Sequence, residues 1–520
     1  MNVVRTIAKN SLFSFITTAL NTLSIFIVGI VLARYLGAEE YGKYAFMMWF
    51  ITLAILVANL GIGEMTKRFI AEALGQQNAR KRKGIVQLAL VARISISLIV
   101  SLLIITLSGP LAKSFNMSAD QTLFIIVGAS ILPYMLYFTF SNIFAGFQKY
   151  EYTTWLELVV SPLRVVLVII LIVLGVGVRE ILIMYAVVWA VGIFFGLFLT
   201  NRLEPLHDLF LPSLLETVER RDALKYSLAA LGIIGMDYFL WQNAEVIFLG
   251  IYRPVVEVGY YNIACKVPAS LVTIIPFVFG QVLLPAVSEQ FGKGDIEKIK
   301  KIYVAAARYL MILSLPLATL GIALAKPIIH SLFGSEYAPA IILMQVIFIP
   351  FALRGLTFAV SSIIYGIKEP GYLLKIGAVL VLMSIGLNLW LIPEHGALGA
   401  VIATSIPRVI ALPIYIFFVS RKINTSWPMG DTFKIGLASI VAGSAAFAAQ
   451  YYLDSNILSL CIGIAVGIIT FILTILVIGV VTTNDLTILK QMDQRLPVSL
   501  RKGLDVIIRV MGKFARHESK

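Results

Sequence analysis

Apolar stretches of about twenty residues follow one another along almost the whole chain, with only short polar breaks between them. A helix needs roughly that length to cross the hydrocarbon core. Fourteen such stretches begin near Ser11, Tyr44, Ile85, Gln121, Thr154, Ile181, Tyr226, Val258, Tyr303, Pro339, Tyr372, Gly396, Lys434 and Ile457. The strict alternation of a barrel strand is missing. The pattern therefore predicts an all-α polytopic membrane protein with about fourteen transmembrane helices. The first stretch runs to about Leu36 without a small-residue cleavage site, which makes it a span and not a removable signal peptide.

The chain also repeats itself at an offset of 217 residues. Leu32 falls on Leu249, Tyr35 on Tyr252, Glu40 on Glu257, Gly42 on Gly259 and Tyr44 on Tyr261. The register holds through Glu72, Gly75, Lys81 and Lys83 over Glu289, Gly292, Lys298 and Lys300, and on to Pro133 over Pro350. About a fifth of the pairs between 32 and 133 are identical. Matches at glycine, proline and loop charges weigh most, because membrane composition alone does not produce them. Internal repeats mark many transporters, with the substrate handled where the repeats meet.

Six spans separate equivalent points, so the two copies share one orientation and the repeat is parallel. It divides the chain into a six-helix lobe (1–201), a charged linker (202–225), a second six-helix lobe (226–420), an appended pair, helices 13 and 14 (421–485), and a basic tail (486–520).

Composition agrees: 59 % of residues are hydrophobic, against about 45–50 % in soluble domains. The net charge of +14 does not form one soluble basic face, which argues against nucleic acid as a partner. Of 42 Lys and Arg, 28 lie in the N-terminal arm, the even-numbered connections and the tail, and five in the odd-numbered connections. The positive-inside rule then puts both termini in the cytoplasm. In the tail, Leu500, Leu504, Ile507, Ile508, Met511 and Phe514 recur at helical spacing among basic residues, a pattern suited to the anionic inner leaflet. Two isolated cysteines and four scattered histidines give no disulfide framework and no metal site. With no Walker A motif, the chain does not hydrolyse ATP by that route.

The segments "LARYLGAEEYGKYAF", "NLGIGEMTKRFIAEAL", "LPAVSEQFGKGDIEKIKKIY" and "NLWLIPEHGALGAVIATSI" resemble the polysaccharide and O-antigen flippases. These belong to the multidrug, oligosaccharidyl-lipid and polysaccharide exporter superfamily. The resemblance runs through nearly the whole chain. It implies two six-helix lobes around a central cavity that opens alternately to each side of the cytoplasmic membrane. The cargo it implies is a polyprenyl phosphate or pyrophosphate carrying sugars, with polysaccharide-assembly enzymes as further partners.

Ionisable residues deep in a span mark functional sites by default. By helix position the deepest are Arg164, Asp237, Lys266, Arg354 and Arg408. Four cations to one acid suit an anionic pyrophosphate, for which Arg offers a planar fork and Lys a mobile point charge. The competing reading is structural pairing, such as Arg164 with Glu157 about two turns away or with a carboxylate on another span. A basic residue at the place of Lys266 also resembles the family pattern. The family further implies coupling to Na⁺ or H⁺ at a site between spans seven, eleven and twelve, where Asp237, Asn388 and Thr404 carry the oxygens. No other cofactor is called for.

The leading expectation is a lipid-linked oligosaccharide flippase rather than an enzyme. A multidrug/cation antiporter or a peptidoglycan lipid-precursor flippase would share the architecture, although a cationic cavity repels organic cations. A membrane glycosyltransferase or polymerase would need carboxylates gathered at the membrane surface, and here they are spread thinly over short loops.

Overall fold

A computed structural model of the chain describes residues 3–204, 215–241, 244–451, 455–482 and 485. Its helices are α1 (Val3–Asn59), α2 (Ile62–Gly75), α3 (Ala79–Thr106), α4 (Ser108–Ser114), α5 (Gln121–Gly146), α6 (Tyr150–Val173), α7 (Val178–Asn201), α8 (Thr217–Trp241), α9 (Val246–Tyr252), α10 (Val255–Gly292), α11 (Ile296–Ala323), α12 (Ala325–Leu332), α13 (Ala340–Gly366), α14 (Pro370–Lys422), α15 (Met429–Tyr451) and α16 (Asn456–Val477). Every apolar stretch read from the sequence begins within one of them or, for Pro339, one residue before it. Eleven helices among the described residues are long and apolar enough to cross a membrane. Large apolar side chains such as Val173, Phe194 and Leu102 face outward, as lipid permits and water does not. The protein is an all-α, multi-pass membrane protein.

Two places differ from the stretches read one by one. The first and second run together in α1, and the eleventh and twelfth in α14. A single glycine breaks each helix: Gly37 (φ 73°, ψ 174°) and Gly396 (φ 56°, ψ −134°). A residue without Cβ adopts these angles at little cost, so one kink replaces a polar loop. At the second kink the Glu257 carboxylate accepts from the Ala397 backbone N–H at 2.7 Å and from Arg253 Nε at 2.9 Å.

Helix boundaries recur with the sequence offset. Ala79–Thr106 and Ile296–Ala323 start and end 217 residues apart, as do the one-turn helices Ser118–Asp120 and Ser335–Tyr337. The kink at Gly37 corresponds to Pro254, in the break between α9 and α10. After α13 the offset lengthens slightly, with Tyr150 answering to Pro370.

The chain packs as two compact units, Met1–Ser270 with Leu374–Pro407, and Leu271–Leu373 with Arg408–Lys520. These units follow packing and cut across the lobes defined by the repeat. In the first unit α1 and α10 cross at the equivalent glycines Gly42 and Gly259. A Cβ on Gly259 would lie 3.1 Å from Gly42 Cα, and one on Gly42 would lie 2.5 Å from the Val255 carbonyl oxygen. Small residues at such crossings let backbones approach closely in membranes. Phe46, Phe50, Phe115 and Phe124 form an aromatic core beside the crossing. Arg93 of α3 is fully buried, and both its Nη atoms donate to Asn59 Oδ1 at 3.0 Å. It places a cation at the C-terminal end of α1, where the helix dipole favours one.

In the second unit α15 and α16 pack on α11. Gly443 leaves room for Thr319 and Gly467 for Leu320. Arg308 of α11 reaches past the end of α16 to Asp485 and to the Val480 carbonyl, the latter at 2.6 Å. Residues 205–214 of the linker and the basic tail from 486 onward lie outside the described residues.

Candidate functional site

Inside the first unit lies a cavity of about 400 Å³, bounded by both halves of α1 and by α5, α6, α7 and α10. Six aromatic residues stand in its walls. Tyr134 and Tyr137 are one helical turn apart on α5, Tyr185 and Trp189 one turn apart on α7, and Tyr44 and Trp49 lie on α1. The Tyr134 and Trp189 rings meet edge to face at 4.7 Å, and the Tyr44 and Tyr185 hydroxyls are 2.8 Å apart. Gly192 admits the Tyr137 ring, since a Cβ there would sit 2.6 Å from Tyr137 Cδ2. Aromatic faces of this kind suit sugar rings and apolar chain alike.

Two of the sequence-predicted cations open into this cavity, Lys266 from α10 and Arg164 from α6. The Lys266 ammonium donates to the Tyr41 hydroxyl at 3.3 Å and lies 5.9 Å from that ring's centroid. Tyr41 in turn donates to Asn262 Oδ1 at 3.0 Å. Among the described residues no carboxylate lies within ion-pair distance of Lys266. Gly29 of α1 makes its slot: a Cβ there would stand 1.7 Å from Lys266 Nζ. Trp49 occupies the repeat-equivalent position of Lys266, and both line the cavity. The cation therefore appears on one side only of a crossing that is otherwise repeated.

Arg164 is 5 % exposed. Its Nη2 lies 3.8 Å from Glu157 Oε1, its Nη1 donates to Asn21 Oδ1 at 3.3 Å, and its Nε has no partner among the described residues. Glu157, 4 % exposed, also accepts from Tyr137 at 2.7 Å and from Ser161. The Arg164–Glu157 pairing weighed in the sequence is present. Its separation makes it an ion pair without a hydrogen bond. The charged residues that line the cavity are Lys266 and Arg164, with Glu157 beside Arg164, and two cations in the lining favour an anionic guest.

Arg354, Arg408, Asn388 and Thr404 are not among the residues that line this cavity. Arg354 (half-buried, on α13) and Arg408 (buried, on α14, over the Phe351 ring at 5.7 Å) belong to the second unit. Asn388 and Thr404, both 2 % exposed on α14, belong to the first. Asn388 Nδ2 donates to the Ser384 carbonyl at 2.8 Å, while its Oδ1 has no partner among the described residues. Thr404 donates to the Ala400 carbonyl at 2.8 Å. Asp237 lies on α8, but its side chain lies outside the described residues. Its neighbour Met236 places α8 beside α14, with Sδ 3.4 Å from where a Cβ on Gly377 would be.

Sequence reasoning did not assign the aromatic wall or Asn21 to a site. The signal was there in part: Tyr134 with Tyr137, and Tyr185 with Trp189, are spaced to share a helix face.

The family model described as "Polysaccharide biosynthesis protein" matches residues 31–342. A probable low-salt glycan biosynthesis flippase of Haloferax volcanii, Agl15, is 22 % identical over 253 residues, which are 48 % of this chain and 52 % of that one. The chain thus spans about half the length of that relative. Among solved structures the lipid II flippase MurJ in an inward closed conformation superposes with TM-score 0.71 at 14 % identity, covering 89 % of this chain and 97 % of MurJ. An inward-facing multidrug resistance transporter of the MOP superfamily gives 0.63 at 18 % identity, covering 78 % of this chain and 94 % of the other. These likenesses identify the fold.

Proposed function

The chain belongs to the polysaccharide biosynthesis protein family, and from that premise we propose that it is a flippase for a lipid-linked oligosaccharide or polysaccharide precursor. It acts in the cytoplasmic membrane, with both termini on the cytoplasmic side. Its cargo is a polyprenyl phosphate or pyrophosphate bearing sugars, carried by alternating access of the two repeat lobes. The observation that carries this reading is the cavity wall, where Lys266 and Arg164 lie among aromatic rings. An anionic head crossing the apolar zone loses its hydration, and buried cations replace it at lower cost than hydrocarbon. Aromatic faces stack against the sugar or the first isoprene units. Arg354 and Arg408 serve the same anion elsewhere on its path.

The relatives' names support this direction, since Agl15 is called a glycan biosynthesis flippase and MurJ a lipid II flippase. The multidrug transporter shares the fold, but a cavity lined by Lys266 and Arg164 disfavours an organic cation. No catalytic role is assigned to the chain. The energy source is an ion gradient or the membrane potential. One charge moved through 100 mV is worth about 2.3 kcal/mol. Asp237, Asn388 and Thr404 are the proposed ion ligands.

The experiment is mass spectrometry of lipid-linked sugars after depletion of the protein. One species accumulating with its sugars on the cytoplasmic leaflet supports the reading and names the cargo. An unchanged lipid-linked pool contradicts it. For coupling, Asp237→Asn abolishes gradient dependence in liposomes while cargo still binds. A native protein indifferent to Na⁺, H⁺ and potential would contradict coupling altogether.

A further inference from the structure

Arg164 is incompletely satisfied in a place where that is costly. A guanidinium carries five N–H donors. Here one of them makes a bond of 3.3 Å to Asn21, Nε makes none among the described residues, and the nearest carboxylate oxygen is 3.8 Å away. Glu157, by contrast, is well held without it, through the Tyr137 and Ser161 hydroxyls. A phosphate entering beside Arg164 offers oxygens that fit the planar fork, and charge-assisted bonds of that kind are the stronger ones. Arg164 then turns to the guest, and Glu157 is left buried with neutral neighbours and a second anion close by. Both conditions favour the neutral acid.

We propose that Glu157 is the resident counter-anion of Arg164 behind the cavity wall, and that loading of a pyrophosphate head onto Arg164 transfers one proton from solution onto Glu157. The inference rests on the reading of this cavity as the seat of the cargo head. The bond formed is O–H on the Glu157 carboxyl, and the proton comes from water or buffer. On unloading, the proton leaves and the carboxylate pairs with Arg164 again. The charges support this account. A pyrophosphate diester brings two negative charges, which Lys266 and Arg164 balance only when Glu157 is neutral. Hydroxyls reorient readily, so Tyr137 or Ser161 can accept from the new O–H. The titratable groups facing the pair are Tyr134 and Tyr137 from α5, Tyr44 from α1, Tyr185 from α7, and Lys266 across the cavity.

The test is calorimetric titration of the purified full-length protein with a farnesyl-pyrophosphoryl sugar, whose diester phosphates do not titrate near neutral pH. Buffers of different ionisation enthalpy report the protons taken up. The native protein should take up about one proton per ligand. Glu157→Gln should bind at least as tightly and take up none. In the native protein a protonated-carboxyl band should also appear in the infrared difference spectrum on loading, a readout that needs no variant. Binding without proton uptake and without that band would overturn the proposal and leave the cargo site standing. Absence of binding in the native protein would overturn the cargo site and this inference with it.

Discussion

At the residue scale, Trp49 and Lys266 condense the molecule's asymmetry. They occupy equivalent places in the repeat and line one cavity, yet only one carries charge. Lys266→Gln keeps a polar side chain and removes the cation. A charge-assisted hydrogen bond is worth about 1.5–3 kcal/mol, so head-group affinity should fall roughly ten- to hundredfold with folding preserved. Binding of a farnesyl-pyrophosphoryl sugar to folded protein checks this, and unchanged affinity would remove Lys266 from the site. Gly29→Ala tests the same ammonium from the other side. The new methyl group displaces only the flexible end of Lys266, so the protein should fold while affinity drops several-fold.

How much of the site could be read from the chain follows from the same residues. Depth within a span marked Lys266 and Arg164. It could not show that Glu157 meets Arg164, because a separation of seven residues leaves that contact to side-chain conformation. Nor could depth show that Arg354 and Arg408 pack in the other unit, since position along a helix says nothing about facing direction around it.

At the scale of elements, glycines decide how helices meet. Gly396 combines φ 56° and ψ −134° with a Glu257 oxygen where a Cβ would stand, 2.0 Å away. Gly396→Ala should therefore cost about 1–3 kcal/mol for the backbone alone. It should lower the thermal midpoint of the detergent-solubilised protein by several degrees, and an unchanged midpoint would show that the kink is not required. At the crossing of α1 and α10, Gly42→Leu meets a carbonyl oxygen that cannot yield as a side chain would. It should reduce the folded, monodisperse fraction on size exclusion far more than Gly29→Ala does. Helix positions and their recurrence at 217 were legible because span length and loop charges are local signals. The single-residue kinks were not legible, because a polar run such as 37–43 can form a loop or simply continue the helix. The tertiary contact between α10 and α14 decides the second case.

For the whole molecule, the balance of Lys and Arg gives an orientation that can be tested directly. In a background with Cys265 and Cys461 replaced, a cysteine at Gly294 should react with an impermeant maleimide only after the membrane is opened. One at Ser335 should react in intact cells. The reverse pattern would invert the topology and the direction of transport. The most direct test of the central claim is flipping by the purified protein in liposomes. A fluorescent polyprenyl-pyrophosphoryl oligosaccharide is followed by quenching from outside. The account predicts protein-dependent flipping that falls at least tenfold in both Lys266→Gln and Arg164→Gln at equal reconstituted amounts. A native rate no higher than that of empty liposomes, or one unaltered in both variants, would contradict it.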